Sequence, residues 1–344
     1  MKIVADENIP LLSRFFGEFG DVVTLHGRDI KAADLSDADI LIVRSVTQVD
    51  KKLLENSPVK FVGSCTIGMD HIDTDYLEQQ GIKYSNAPGS NANSVVEYIM
   101  SSLSILTETH GHKWDQITVG IIGYGNVGSL LASRLKKMGI AYKAHDPFLD
   151  KSQLSSELTS LEEVLLCDVV TLHVPLTQGT DYPTYHLIDA DVLNKMSDSQ
   201  VLINTSRGAV VDNADLLSHL QARPDFTVIL DVWESEPQID IVLARLVFLG
   251  TPHIAGYSYD GKVKGTEMIY RSLCQFLGFP SRLTSGQFME EPALSRMVFT
   301  SNADVDWSIH TAIRVCFDVR HDHGLLSSSM RLPDEDRWKA FDLL

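Results

Sequence analysis

The chain has 344 residues, more than one hydrophobic core usually organises, so we expect at least two domains. Its 44% apolar and 22% charged residues are typical of a globular protein and exclude a disordered or collagen-like chain. The net charge of −17 repels phosphate backbones and anionic membranes, so neither nucleic acid nor membrane is an expected partner. The four cysteines lie far apart without zinc-ligand spacing, so we expect reduced thiols and no metal site.

The start of the chain and its most apolar helical stretch both argue against export and membrane insertion. Asp6 and Glu7 stand where a signal peptide needs an apolar run. The stretch Val95–Leu106 is short for a membrane span and contains Glu97. We therefore expect a cytoplasmic protein.

Short apolar runs, mostly β-branched, recur along the chain at strand length. They lie at Ile3–Ala5, Val22–Leu25, Ile40–Val43, Phe61–Val62, Val119–Ile122, Val169–Val174, Val201–Ile203 and Val228–Leu230. Runs without alternation are typical of strands buried on both faces, and amphipathic helical patterns such as Asn126–Met138 lie between them. The alternation predicts an α/β protein with doubly wound parallel sheets.

Two long helical segments, Asn91–Glu108 and about Gly261–Leu277, have no strand of their own, so we expect them to connect domains. Candidate boundaries are the loop Thr109–Gln116 and the Gly-, Pro- and Ser-rich segment Phe279–Pro292. Beyond Glu291 the strand and helix rhythm weakens, although apolar residues continue and need a surface to pack against.

A glycine motif follows the predicted strand that ends at residue 122. Gly123 permits a tight turn, Gly125 lets a diphosphate approach the backbone, and Gly128 lets the next helix pack closely. Asp146 comes eighteen positions after Gly128, near the spacing at which a carboxylate binds the adenosine ribose and repels a 2′-phosphate. The pattern predicts NAD rather than NADP, and the alternative is a glycine-rich turn without a ligand.

Arg207 follows another buried strand, within Asn204-Thr-Ser-Arg-Gly-Ala-Val-Val-Asp. Ligands of open α/β sheets bind at the carboxyl ends of strands, and a guanidinium offers a bidentate site for a carboxylate or carbonyl oxygen. The alternative is a structural role, in which Arg207 pairs with Asp212 or caps a helix.

Glu236 and His253 lie in loops after the next strands, within Asp231-Val-Trp-Glu-Ser-Glu-Pro and Thr251-Pro-His-Ile-Ala-Gly. Imidazole suits proton transfer near neutral pH, and a neighbouring carboxylate would fix its tautomer. The alternatives are a solvated helix start for Glu236 and an ordinary loop histidine for His253.

Together these blocks resemble the D-isomer-specific 2-hydroxyacid dehydrogenases over most of residues 40 to 278. The resemblance implies that Arg207, Glu236 and His253 are catalytic, with His253 as the acid–base group. It implies a flavodoxin-like substrate domain of residues 1–92 plus 257–280, and a Rossmann-type NAD-binding domain of residues 93–256.

The same resemblance implies that residues 281–344 form a small C-terminal α+β dimerisation region, and hence a homodimer. The chain ends earlier than its relatives are expected to, so we expect a truncated region and a weakened contact. Its apolar residues would then be buried against a second subunit; they are Val298, Phe299, Trp307, Ile309, Ile313, Val315 and Phe317.

Further segments narrow the likeness to members that oxidise a phosphorylated 2-hydroxy acid. They are the opening ten residues, Val43-Arg-Ser-Val-Thr, residues 61–73, Asn86-Ala-Pro-Gly-Ser-Asn-Ala and Gly256-Tyr-Ser-Tyr-Asp-Gly-Lys. This likeness implies substrate contacts from Ser45, Thr66 and Tyr257. The implied cofactor residues are Gly123, Gly125, Asn126, Val127, Gly128, Asp146, Val174, Asp231 and Gly256.

One position departs from that pattern, because a threonine is expected where Val174 stands; a backbone contact would survive the change. Two other functions stay open. One is a different member of the family, acting on 3-phosphoglycerate or glycerate. The other is an NADH-sensing, corepressor-like interaction protein that keeps the fold but acts through binding.

Overall fold

The structure is a computed structural model that describes residues 1–111, 113–149 and 157–343. Its strands are β1 (Lys2–Asp6), β2 (Asp21–Leu25), β3 (Ile40–Val43), β4 (Phe61–Ser64), β5 (Lys83–Ser85), β6 (Thr118–Ile122), β7 (Ala141–His145), β8 (Val169–Leu172), β9 (Val201–Asn204), β10 (Thr227–Leu230) and β11 (Leu249–Gly250). Its α-helices are α1 (Leu12–Phe16), α2 (Lys51–Leu54), α3 (Thr74–Gln80), α4 (Ala92–His110), α5 (Asn126–Met138), α6 (Leu161–Val164), α7 (Ala190–Leu193), α8 (Asn213–Ala222), α9 (Ile241–Leu246), α10 (Tyr259–Leu277), α11 (Val305–Cys316), α12 (Val319–Ser329) and α13 (Asp334–Leu343).

The chain divides into two compact units. The first contains Met1–Ser94 and Tyr257–Ser295, and the second contains Val95–Gly256 and Arg296–Leu344. The predicted substrate, NAD and dimerisation domains are assignments of role, and they stay predictions. Among the described residues, no helix has both the length and the hydropathy that a membrane span requires.

The first unit is built on a five-stranded parallel sheet with the order β2-β1-β3-β4-β5. This is the flavodoxin-like order, so the flavodoxin-like fold predicted for this part of the chain is confirmed. Successive strand residues enter opposite layers of the core: Ile3 and Ile40 pack on one face, Val4 and Leu41 on the other. The sequence pattern did not predict β5, because this edge strand is polar and contains no apolar run; it pairs with β4.

The second unit contains a six-stranded parallel sheet with the order β11-β10-β9-β8-β6-β7. Leu158 forms one further parallel bridge with Ala144 of β7. This bridge follows β6 and β7 along the chain and takes the place of a third strand beside β7. Counted in this way, the sheet has the strand order of a Rossmann fold, which confirms the second part of the predicted fold. Its core is double-layered, since alternate residues such as Val169 and Val170 enter different hydrophobic clusters.

The C-terminal tail packs on the second unit's own core. Val319 and Leu326 are buried in its two hydrophobic clusters. His310 is hydrogen-bonded through Nδ1 to the hydroxyl of Ser104 at 2.7 Å, and the amide of Val319 donates to Ser101 at 3.1 Å. Within residues 296–343 the tail is helical and contains no strand, which differs from the α+β composition expected.

Contacts within the chain itself therefore bury part of the tail's apolar surface. Ile309, Ile313 and Phe317 pack against the cluster that contains Val319. Trp307 and Val315, on the other side of α11, are 54% and 56% exposed. The expectation that all these residues face a second subunit is thus too broad, because α11 is amphipathic and its own unit covers one side.

Candidate active site

The glycine motif forms the turn between β6 and α5. Gly123 has a φ of 92°, and a Cβ there would lie 2.5 Å from the carbonyl oxygen of His173. A Cβ on Gly128 would lie 2.0 Å from the carbonyl oxygen of Gly123, so only glycine lets the helix pack against the turn. Gly125 has nothing within 4 Å of its Cβ position. The turn therefore offers open backbone at a helix N-terminus, which fits a diphosphate.

Asp146 lies just beyond β7 and is tied to this turn. Its carboxylate accepts hydrogen bonds from the amide of Tyr124 at 2.9 Å and from the amide of Phe148 at 3.0 Å. Asn126 and Val127 are the first residues of α5. The structure thus brings the acid, the glycine turn and the helix start together, as a nucleotide-binding edge requires.

The remaining predicted cofactor residues follow other strands of the same sheet. Val174 comes after β8, and its Cγ1 would lie 2.9 Å from a Cβ on Gly123. Asp231 directly follows β10, and Gly256 ends the segment after β11. The carboxyl ends of parallel strands meet at one edge, which is where open α/β sheets bind ligands.

Arg207 is presented by a hydrogen-bonded turn after β9. The side-chain oxygen of Asn204 accepts from the amide and the hydroxyl of Ser206 at 3.0 and 2.8 Å, and its nitrogen donates to the carbonyl of Arg207 at 2.9 Å. The guanidinium Nη1 donates to the carbonyl of Ser206 at 2.8 Å. The carboxylate of Asp212, the partner that a structural role would require, caps α8 and contacts His186.

His253 and Glu236 are in contact. Nδ1 of His253 lies 2.8 Å from Oε2 of Glu236, and Oε1 of Glu236 accepts the amide of Trp233 at 2.7 Å. Because a carboxylate only accepts, Nδ1 carries the proton and Nε2 is left for proton transfer. The imidazole side chain is 47% exposed, so that nitrogen can be reached.

The pKa of His253 results from opposing influences. Partial desolvation of the ring in the cleft, the largest of them, lowers the imidazole pKa, while the hydrogen bond and charge of Glu236 and the charge of Asp231 raise it. Arg207 lowers it further by charge repulsion. The net effect raises the pKa of His253 above its ordinary value, which strengthens the group as a base.

Asp231 anchors the loop that carries His253. Its carboxyl is 1% exposed and accepts from the hydroxyl of Thr251 at 2.7 Å and from the amides of Ile254 and Ala255 at 2.7 and 2.9 Å. Its backbone carbonyl accepts the amide of His253 at 2.7 Å. Burial raises the pKa of Asp231, and the charge of His253 together with the three donors partly offsets that rise. This anchoring role could not be read from the sequence.

Arg207, Glu236 and His253 line one open cleft, which the structure shows entirely within the second unit. Its wall is formed by Leu176, Arg207, Gly208, Ala209, Trp233, Glu234, Ser235, Glu236 and His253. Sequence reasoning missed Trp233, whose indole nitrogen donates to the carbonyl of Thr251 at 2.9 Å. Its place inside the Asp-Val-Trp-Glu-Ser-Glu-Pro block was the available signal.

The three predicted substrate contacts lie in the first unit. Ser45 is exposed just after β3, and Thr66 follows β4 with its hydroxyl 2.8 Å from that of Ser64. Tyr257 is exposed before α10, and Lys262 Nζ lies 3.7 Å from its ring centroid.

Comparison with known proteins agrees with this geometry. Residues 2–171 match the catalytic domain, and residues 100–255 the NAD-binding domain, of the D-isomer specific 2-hydroxyacid dehydrogenases. The chain is 52% identical to erythronate-4-phosphate dehydrogenase of Hahella chejuensis and 50% identical to that of Marinobacter nauticus, covering 100% of this chain and 90% of each relative. The NAD-bound 3-phosphoglycerate dehydrogenase of Entamoeba histolytica has the same fold, with a TM-score of 0.69 at 24% identity over 81% of this chain and 95% of that one.

The chain therefore belongs to the D-isomer specific 2-hydroxyacid dehydrogenase family, as its motifs predicted. It is an NAD-dependent dehydrogenase. The open backbone at Gly125, the close packing at Gly128 and the carboxylate of Asp146 fit this cofactor.

Proposed function

We propose that the chain oxidises the 2-hydroxyl of 4-phospho-D-erythronate to (R)-3-hydroxy-2-oxo-4-phosphobutanoate, a step of pyridoxal 5′-phosphate biosynthesis. The main support is the cleft in which Arg207, Glu236 and His253 come together, in a chain whose full-length relatives are named for that substrate. The proposed setting is the cytoplasm, with a small-molecule substrate and neither nucleic acid nor membrane as partner.

Each of the three residues has a distinct role in this proposal. Arg207 binds the substrate carboxylate and polarises the C2 oxygen through its planar guanidinium. His253 accepts the hydroxyl proton at Nε2, because Nδ1 is committed to Glu236. Glu236 stabilises the imidazolium that forms, since its charge lies against Nδ1. NAD, when bound, supplies the acceptor for the hydride that leaves C2.

The cofactor is held by the turn after β6 and the strand ends beside it. Amides of Gly125, Asn126 and Val127 at the start of α5 face the diphosphate, and Asp146 faces the ribose hydroxyls. A carboxylate at Asp146 disfavours a 2′-phosphate by charge repulsion, which supports a preference for NAD over NADP.

Ser45, Thr66 and Tyr257 complete the proposed substrate contacts. Their hydroxyls are suited to the polar end of a phosphorylated sugar acid. Replacing Thr66 by Val should raise KM for the phosphorylated substrate more than it lowers kcat, whereas Thr66→Ser keeps the hydroxyl and should restore KM. Equal kinetics for the two variants would remove Thr66 from the contacts.

The direct test measures NADH formation from 4-phosphoerythronate, 3-phosphoglycerate and glycerate at equal concentrations. We expect the highest kcat/KM with 4-phosphoerythronate. A higher value for 3-phosphoglycerate or glycerate would assign the chain another activity within the family. Absence of turnover with all three, together with NADH-dependent binding of a partner protein, would favour the corepressor-like alternative.

The proposal includes a homodimer. Val298 and Val305 are 72% and 69% exposed, and Trp307 and Val315 are also more than half exposed. A self-complementary contact with a second copy would cover these side chains. Deleting residues 285–344 is a poor test, because it would also strip buried tail residues from the second unit.

Substitution is therefore the cleaner test of the dimer. The double variant Trp307→Asp/Val315→Asp changes only exposed positions and should sediment as a monomer that still binds NADH. The matched control Val242→Asp places charge at another exposed apolar position of the second unit and should leave sedimentation unchanged. A dimer that persists in the double variant would place the interface elsewhere on the chain.

A further inference from the structure

A second histidine, outside the catalytic set, is held between two carboxylates beside the cleft. Nδ1 of His186 lies 2.9 Å from Oδ2 of Asp212, and Nε2 lies 2.8 Å from Oε1 of Glu234. The ring of Tyr185 stacks on the imidazole with centroids 3.9 Å apart. All three charged side chains are about three-quarters buried, so water screens them only partly.

The observed contacts describe a bridge through the imidazole ring. The carboxylates face opposite nitrogens of the ring: Glu234 forms a hydrogen bond with Nε2, and Asp212 lies 2.9 Å from Nδ1. The imidazole therefore lies between two carboxylates and contacts both of them.

The two carboxylates belong to the segments that carry the catalytic residues. Asp212 ends the segment that begins at Arg207, and its Oδ1 caps α8. Glu234 lies two residues before Glu236, and its Oε2 accepts the amide of Asn213 at 3.0 Å. The side-chain oxygen of Asn213 in turn accepts the amide of Glu234 at 3.1 Å.

The contact between these segments leaves little room for displacement. A Cβ on Gly208 would lie 1.9 Å from the carbonyl oxygen of Trp233 and 2.5 Å from the amide nitrogen of Glu234. The amide of His186 also donates to the carbonyl of Ala209 at 2.8 Å, so His186 joins the arginine segment through its backbone and its side chain.

We infer that His186 is a positioning residue, whose bridge between Asp212 and Glu234 sets the distance of Arg207 from the Glu236–His253 pair. Without the intervening imidazole, two carboxylates would face each other across the junction and repel. The displacement would reach the catalytic pair directly, because the amide of Trp233, next to Glu234, is bonded to Glu236. This inference rests on the proposed catalytic roles of Arg207, Glu236 and His253.

The test compares single and double substitutions. His186→Ala should lower kcat/KM about 10²-fold, the loss that a small misplacement of catalytic groups produces. In His186→Ala/Glu234→Gln one of the two facing charges is removed, so kcat/KM should recover about tenfold relative to His186→Ala. If His186 only fills space, the second substitution leaves kcat/KM equal or lower, and that result overturns the inference.

A second readout does not need turnover. In protein with ¹⁵N-labelled histidines, His186→Ala should weaken the contact of His253 with Glu236 and lower the pKa of His253 in an NMR titration. His26→Ala is the matched control, because it removes a histidine that pairs with Asp29 in the first unit, and it should leave that titration unchanged. An identical titration of His253 in wild type and His186→Ala overturns the inference.

These measurements separate the two proposals. If the wild type oxidises no 2-hydroxy acid, the proposed function fails, while the titration of His253 still decides the role of His186. If His186→Ala does not fold, Glu234→Gln alone replaces it, since that variant keeps the pair with Asp212 and loses only one half of the bridge. Wild-type kinetics and an unchanged His253 titration in Glu234→Gln would then overturn the inference.

Discussion

The substitution Glu236→Gln tests the core of the site, because Glu236 serves two donors at once. Its carboxylate accepts the amide of Trp233 at 2.7 Å and Nδ1–H of His253 at 2.8 Å. A glutamine has one acceptor oxygen and one donor nitrogen at these positions. If the oxygen keeps Trp233, the nitrogen faces Nδ1 and forces the proton of His253 onto Nε2. If the oxygen turns to His253, two donors meet at Trp233.

The size of the change in the pKa of His253 follows from the contact that Glu236→Gln removes. An opposite charge within about 4–6 Å commonly shifts a pKa by about 1–3 units, so the pKa of His253 should fall by about one unit or more. Burial, which lowers that pKa, is then opposed mainly by Asp231. Oxidation needs neutral His253, so the acid limb of the kcat/KM profile should move to lower pH. Loss of the correct tautomer should lower the plateau about 10²–10⁴-fold.

The assay is NADH formation followed across the pH range in wild type, Glu236→Gln and the control Asp225→Asn. Asp225 is an exposed carboxylate of the same unit, in the turn before β10, so the control removes one negative charge away from the cleft lining. We expect the control to keep the wild-type profile. If Glu236→Gln also kept the wild-type plateau and acid limb, the contact with His253 would have no part in proton transfer.

Three further substitutions test the other roles. His253→Ala should lower kcat by about 10²–10⁴-fold while NADH binding, measured by fluorescence, stays unchanged, and substantial residual activity would assign the base elsewhere. Arg207→Lys keeps the charge but loses the bidentate guanidinium, so steady-state kinetics should show a higher KM and a lower kcat; native values for both would contradict its role. Asp146→Ser should relax the preference for NAD when kcat/KM is compared for NAD and NADP. A wild-type enzyme that uses NADP as well as NAD would contradict the placement of Asp146 at the ribose.

The sequence by itself determined the architecture and the identity of the candidate catalytic residues. β-branched runs without alternation predicted parallel strands, and the two observed sheets have the flavodoxin-like and Rossmann orders. Gly123, Gly125 and Gly128, followed by Asp146, predicted the nucleotide turn. At Gly123 and Gly128 a side chain would collide with the backbone, so these positions meet a local steric demand that only glycine satisfies. Such signals act over a few residues, so they can be read in order along the chain.

Only the tertiary structure decided which loops meet and what supports them. The pairing of His186 with Glu234 spans 48 positions, and that of Thr251 with Asp231 spans 20. The hydrophobic pattern of the tail showed that α11 has an apolar side, but not that the chain's own second unit covers part of it. These outcomes depend on strand order and on the packing of strand ends, which bring distant segments together through contacts that no local periodicity encodes.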